Sequence, residues 1–225
     1  MMIRALVQTL AFYIVLGIVL FAAAGDWTWP EAWVFLAESL LFSAVIIVWL
    51  AGFDPALLQS RMGMRFHADQ TRWDRIFMAG AIAGFILWLV LIPLDARRFA
   101  WSHVPLWAEA LGAVLIALCM TLVCWVFRYN SFAAPQVRIQ ADRGQHVITG
   151  GPYRIVRHPM YALALLYFVG APLLLGSWWG LLPVPLFMAA FAARSIREEA
   201  VLRQALQGYD EYAARVRFRL IPGVW

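Results

Sequence analysis

Lysine is absent from this sequence: all 18 basic residues among its 225 are arginine. So one-sided a choice points to a GC-rich coding bias rather than to guanidinium chemistry at every site, and the net charge of +5 carries no implication of a nucleic-acid partner. Charge of either sign is scarce. Charged residues make up 14% of the chain and hydrophobic ones 64%, whereas soluble domains carry about 25% charged residues. That excludes an ordinary soluble globule and implies an integral membrane protein. Cysteine is nearly lacking too. Cys119 and Cys124 share one apolar segment and have no cysteine or histidine at ligand spacing, which excludes a disulfide framework and a metal site and leaves core packing as their role. Internal repeats and low-complexity linkers are also missing, so residues 1–225 read as one membrane domain.

What is present is long apolar runs. Four stand out, near residues 3–24, 30–51, 74–93 and 105–128. Each reaches about 30–36 Å as a helix, enough to cross a bilayer. The first could pass for a signal peptide ending in Ala22-Ala23-Ala24, but its length favours a retained span. A fifth apolar region, 159–193, is broken by the run GSWWG (176–180) and by Pro172, Pro183 and Pro185, and reads as a hairpin of two short spans. The expected fold is therefore an all-α polytopic membrane bundle, about four spans plus a C-terminal helical hairpin. Sixteen arginines fall on one side of this topology, leaving Arg97 and Arg98 on the other beside the tryptophan-bearing loop GDWTWPE. The positive-inside rule places both termini and the large polar segments in the cytoplasm, with six crossings. The run after the second span, DPALLQSRMGMRFHADQTRWD, should lie along the interface.

Polar residues gather in two cytoplasmic pieces, 128–161 and 194–219, one entering the hairpin and one leaving it. They must therefore converge in space. In the first, Gly150-Gly151-Pro152 favours a turn with backbone groups left for a ligand. Pro159 suits the first helical position, so a helix should begin near His158 with its unpaired N–H groups facing the loop, a setting that favours an anion. Arg154, Arg157 and His158 could equally serve as headgroup anchors. In the second piece Arg194 and Glu198 share a helical face at i, i+4, a spacing open to a solvated salt bridge or to a ligand role. Glu199 and Arg203 form a second pair, assigned to structure. The tail should be a polar helix to about Leu206, a break at Gly208 and a short second helix. Glu38, beside Ser39 and Ser43, is deep enough in the second span to require a place facing the bundle or a wet cavity, and both functional and structural hydrogen bonding fit it. Glu109 reads as interfacial, and His67 and His103 join no constellation.

The runs VRIQ (137–140), HVITGGPYRIVRHPMY (146–161), REEAVL (197–202) and GYDEY (208–212), with Arg219 before Ile221-Pro222, together resemble the isoprenylcysteine carboxyl methyltransferase family and its bacterial relatives. The likeness covers roughly the last 90 residues. It implies a membrane-embedded methyltransferase using S-adenosylmethionine without a soluble Rossmann domain, with its catalytic region in 129–225 behind N-terminal membrane helices in 1–128. By the resemblance, cofactor contacts fall to Gln140, Gln145, His146, Val147, Ile148, Tyr153, His158, Pro159, Met160, Tyr161 and Glu198. Arg194 is implied to meet the acceptor carboxylate, so Arg194 and Glu198 are the implied catalytic pair. The implied acceptor is a lipophilic molecule reached from the bilayer, and the implied location is a bacterial inner membrane with the site on the cytoplasmic side. Methyl transfer is an in-line displacement in which alignment and a dry pocket can supply much of the rate. A carboxylate acceptor needs no base near neutral pH, whereas an amine or thiol would, and only His158 or Glu198 offers one.

Two departures bear on the acceptor. Leu163 stands where relatives often have glycine, which narrows the cofactor or lipid path. Prenylated proteins are also not expected to be abundant in bacteria, so another lipid, a small isoprenoid acid or a thiol are further acceptors, and phospholipid N-methylation or thiol S-methylation is the alternative activity. A sterol-type NADPH reductase resembles the chain around Arg157-His158-Pro159, but such enzymes read RHPNYxGE where this sequence has RHPMYALA. A non-enzymatic scaffold with a lipid-binding basic tail is the remaining reading, and cofactor binding separates it from the first.

Overall fold

The computed structural model describes residues 1–62, 72–134 and 139–225. It is an all-helical membrane bundle, as expected. The long helices are α1 (Met2–Ala24), α2 (Pro30–Phe53), α4 (Arg72–Pro93), α5 (Leu106–Tyr129) and α7 (Val184–Ala205), joined by the shorter α3 (Pro55–Arg61), α6 (Pro159–Leu174) and α8 (Tyr209–Arg215). Among the described residues five helical stretches are long and apolar enough to cross a bilayer, 2–24, 30–53, 72–98, 106–129 and 179–205. The hairpin is thus unequal. α6 has 16 residues, about 24 Å of rise, short of the ~30 Å hydrocarbon core. Of the expected interfacial run, α3 and the start of α4 are described; the rest, with His67, lies outside the described residues, as do Val137 and Arg138 of VRIQ.

Local chemistry explains most helix ends. Proline occupies the first turn of α2, α3, α6 and α7, where its missing N–H costs no hydrogen bond. Asp54 caps α3 by accepting from the Leu57 amide at 2.9 Å. α7 ends at Ala205, and Gly208 turns the chain into α8 in a left-handed conformation, φ 82°.

α5 and α6 form the closest helix pair, and two glycines allow it. A Cβ on Gly112 would lie 2.4 Å from the Leu174 amide nitrogen, and one on Gly170 would lie 2.8 Å from the Gly112 carbonyl oxygen. Small residues of this kind let helix backbones approach where water-driven collapse is unavailable. Cys119 is buried in the same seam and donates its thiol to the Leu163 carbonyl at 3.2 Å. The main core packs Leu20, Phe35, Trp88, Ile92, Ile116 and Leu175 from four helices and the start of the hairpin turn.

The two ends of the bundle differ. At one, Asp95 is fully buried and accepts from the Ser102 hydroxyl at 2.7 Å, the Ser177 hydroxyl at 2.5 Å and the Trp179 amide at 3.2 Å. The GSWWG run is therefore fastened to the end of α4. Arg97 pairs with Asp26 on the surface at 2.6 Å, and hydrogen bonds from Thr28 and that arginine hold the Asp26 carboxyl down at about 2. The opposite end gathers α3, the start of α4, the end of α5, the start of α6, the end of α7 and the tail, and it carries the polar residues.

Candidate active site

A cavity of about 310 Å³ opens at that polar end. Its lining includes Gln145, His146, Val147, Ile148, Tyr153, His158, Pro159, Met160, Tyr161, Arg194 and Glu198. All the residues that the resemblance assigned to cofactor and acceptor, except Gln140, therefore reach one space. Gln140 is buried behind the wall: its Nε2 donates to the Phe132 carbonyl at 2.8 Å, its amide donates to Gln145 Oε1 at 2.7 Å, and its Oε1 accepts from Arg143 at 2.6 Å. It holds the loop that presents Gln145 rather than facing the cavity.

The helix start at Pro159 follows the sequence reading, with His158 as the capping residue. The glycines before it do something else. Gly150 and Gly151 do not line the cavity. A Cβ on Gly151 would fall 2.4 Å from the Tyr129 ring, and the residue sits at φ 54°, so these glycines let the end of α5 press against the turn. Arg157 and His158 are also not headgroup anchors. They are 7% and 6% exposed, and only Arg154 faces outward.

Charge pairing departs from helical spacing. Arg194 pairs with the buried Asp74 of α4, Nη2 to Oδ1 at 3.1 Å, and lies 5.0 Å over the Phe77 ring. Glu198 instead accepts from the Tyr161 hydroxyl at 2.6 Å, with His158 Nδ1 3.7 Å away. The His158 and Tyr161 rings stack at 5.5 Å and 9°, and Tyr161 stacks in turn on Phe191. Glu198 is thus aimed by a packed aromatic column. The expected Glu199–Arg203 pair does not form. Glu199 is buried and meets Arg157 at 2.7 Å, Arg219 at 3.1 Å and His158 Nε2 at 3.2 Å, while Arg203 pairs with Asp210. The helix turns both glutamates inward, where partners from other segments compete successfully with the exposed neighbour one turn away.

The tail closes the site. Arg157 and His158 donate their amides to the Phe218 and Arg219 carbonyls at 3.0 and 2.9 Å, and Arg157 Nη1 donates to the Val216 carbonyl at 2.6 Å. Tyr212 donates its hydroxyl to the Tyr153 carbonyl at 2.9 Å. The Tyr153 hydroxyl accepts from Asn130 at 2.5 Å, and burial raises its phenol far above the ordinary tyrosine range, so it stays neutral.

The sequence reading missed Asp74, Asn130, Phe132, Tyr212 and Arg61, which bind or complete the wall. Arg61 and Met78 come from the first 128 residues, so the cavity is not built from 129–225 alone. Asp74 and Asn130 each sit at the polar end of an apolar run, the one signal that could have drawn attention to them. Glu38, by contrast, is not among the cavity's lining residues. No group of three or more histidine, cysteine, aspartate or glutamate residues suited to a metal occurs among the described residues.

The phospholipid methyltransferase family matches residues 107–208. Probable protein-S-isoprenylcysteine O-methyltransferases of Oryza sativa subsp. indica and subsp. japonica are each 25% identical over 188 residues, covering 83% of this chain and 93% of theirs. The matched stretch runs from α5 to Gly208 and carries most of the cavity wall. With its apolar helices and a polar cavity at the bundle end, the chain is similar to membrane methyltransferases, to the phospholipid family over residues 107–208 and to the isoprenylcysteine O-methyltransferases over most of its length.

Proposed function

We propose that this protein transfers a methyl group from S-adenosylmethionine to the carboxylate of a lipophilic acceptor, forming a methyl ester. The observation that carries the reading is the wall on which Tyr161, Glu198 and Arg194 meet, between membrane helices α4, α6 and α7. The residues fit the cofactor. The cavity volume falls at the lower end of the ~300–1,000 Å³ range for small-molecule sites. Its lining joins a carboxylate, guanidinium groups and an apolar side of Val147, Ile148, Val201 and Leu202, a mixture matching a ligand with charged and aromatic ends.

When bound, S-adenosylmethionine supplies an electrophilic methyl on a sulfonium. Gln145 through Ile148, Tyr153 and His158 through Tyr161 hold the cofactor, and Gln140 positions their loop. Glu198, fixed by the Tyr161 hydroxyl, faces the cationic part of the cofactor. Arg194, oriented by Asp74, places positive charge at the wall and draws an anionic acceptor into line. Such an acceptor is ionised near neutral pH and needs no base. Met78, Ala164, Val201 and Leu202 give the wall an apolar side toward the helices, so the acceptor arrives from the bilayer while the cofactor arrives from the cytoplasmic face. The O-methyltransferase names of the rice relatives support an oxygen acceptor. The phospholipid methyltransferase match supports N-methylation as the second reading.

One experiment separates them. Purified protein is incubated with methyl-labelled S-adenosylmethionine and a total lipid extract, and the labelled product is treated with mild alkali. Volatile methanol identifies a methyl ester. Label that stays with the lipid identifies N- or S-methylation and refutes the carboxylate reading. Absence of any transfer to lipid refutes the lipophilic acceptor.

A further inference from the structure

Three guanidinium groups line the cavity, those of Arg61, Arg157 and Arg194. Two have carboxylate partners, Glu199 and Asp74. Arg61 differs: among the described residues no carboxylate lies within ion-pair distance of it. Its Nη1 donates to the Ala133 carbonyl at 2.5 Å, and the guanidinium lies 4.6 Å over the Phe127 ring. Removal from water lowers it to about 10, so it remains a cation at neutral pH. A carbonyl dipole and a ring face offset only part of the cost of taking a full charge out of water, and a counter-ion supplies the rest.

The surroundings say where that counter-ion comes from. Beyond the burial that dominates it, the Tyr153 phenol feels both Glu198, which raises it, and Arg61, which lowers it. Arg61, Tyr153 and Glu198 all line this cavity, so one anion and one cation face the same space. An amino-acid end group carries the complementary pair, an ammonium and a carboxylate on one carbon. We infer that Arg61 binds the α-carboxylate of the methionyl end of S-adenosylmethionine, beside Tyr153 and Asn130. The contact comes from α3, upstream of the 107–208 region that the family match covers. This inference rests on the cofactor reading above.

The test compares two ligands by calorimetry on the full-length protein in detergent: S-adenosylmethionine, and its decarboxylated analogue, which keeps the sulfonium and the amine but lacks the carboxylate. The wild type should prefer S-adenosylmethionine roughly 10- to 100-fold, the range of a charge-assisted contact. Arg61→Gln should lose that preference by weakening S-adenosylmethionine alone, and its retained affinity for the analogue shows that it is folded. Arg61→Lys should recover part of the preference. A wild type that binds both ligands equally overturns the inference without recourse to any variant. So does an equal loss for both ligands in Arg61→Gln, or an unchanged cofactor affinity with a raised acceptor KM, which would assign Arg61 to the acceptor. A wild type that binds neither ligand overturns the cofactor reading itself.

Discussion

Removing the Glu199 carboxylate should loosen the whole polar end of the bundle. The side chain is 3% exposed and faces two guanidinium groups and an imidazole at 2.7 to 3.2 Å. Arg157, its closest partner, also binds the Val216 and Arg217 carbonyls, so a single carboxylate links α7, the start of α6 and the tail. Glu199→Ala leaves a buried Arg157 without its acid, a change that costs about 3–5 kcal/mol. In a chain of this size each kcal/mol moves the midpoint by about 2–4 °C, giving a fall of roughly 6–20 °C. Glu199→Gln keeps the shape and one accepting oxygen and should fall between. Arg219→Ala should cost less, since that arginine is 28% exposed and screened by water. The assay is thermal unfolding in one fixed detergent, followed by tryptophan fluorescence, with limited proteolysis of the tail alongside. A Glu199→Ala midpoint within about 2 °C of wild type would refute the claim that this carboxylate holds the end together.

Other consequences concern the reaction. Glu198→Ala should abolish detectable cofactor binding by calorimetry, while Arg194→Ala should retain binding and lose turnover with a carboxylate acceptor; unchanged activity in both variants removes the site assignment. Asp74→Asn acts through Arg194, so it should lower acceptor kcat/KM by about 10- to 100-fold, the worth of a charged hydrogen bond, with cofactor Kd unchanged; equal effects on both constants would mean a merely structural role. Gly112→Val places a side chain against the Leu174 backbone and should destabilise by about 1–3 kcal/mol or more, checked by the same unfolding assay; a stable variant would mean that α5 and α6 can separate at little cost.

The structure also shows where reading along the chain stops working. Apolar runs long enough to cross a bilayer are local facts, and α1, α2, α4 and α5 begin and end within a few residues of the runs that announced them. Pro159 at a helix start and Gly208 at a break are local in the same sense, because a fixed φ or a missing Cβ acts on its own backbone. The motif residues were legible as a group for a related reason: two polar segments attached to one hairpin have little choice but to meet.

Pairing was not legible. Spacing put Arg194 with Glu198 and Glu199 with Arg203, whereas the partners are Asp74, Tyr161, and Arg157 with His158 and Arg219. Asp74 and Arg194 are 120 residues apart, and Arg61 meets the cavity from a helix that carries no motif. The glycines of the turn have their reason in a ring, that of Tyr129, brought from the end of α5. The sequence by itself determined the membrane class, the long helices and the meeting of two polar segments at one end of the bundle. Tertiary structure alone decided which charge neutralises which, because a buried ion takes the partner that packing delivers to it in a low-dielectric interior, at whatever distance along the chain that partner lies.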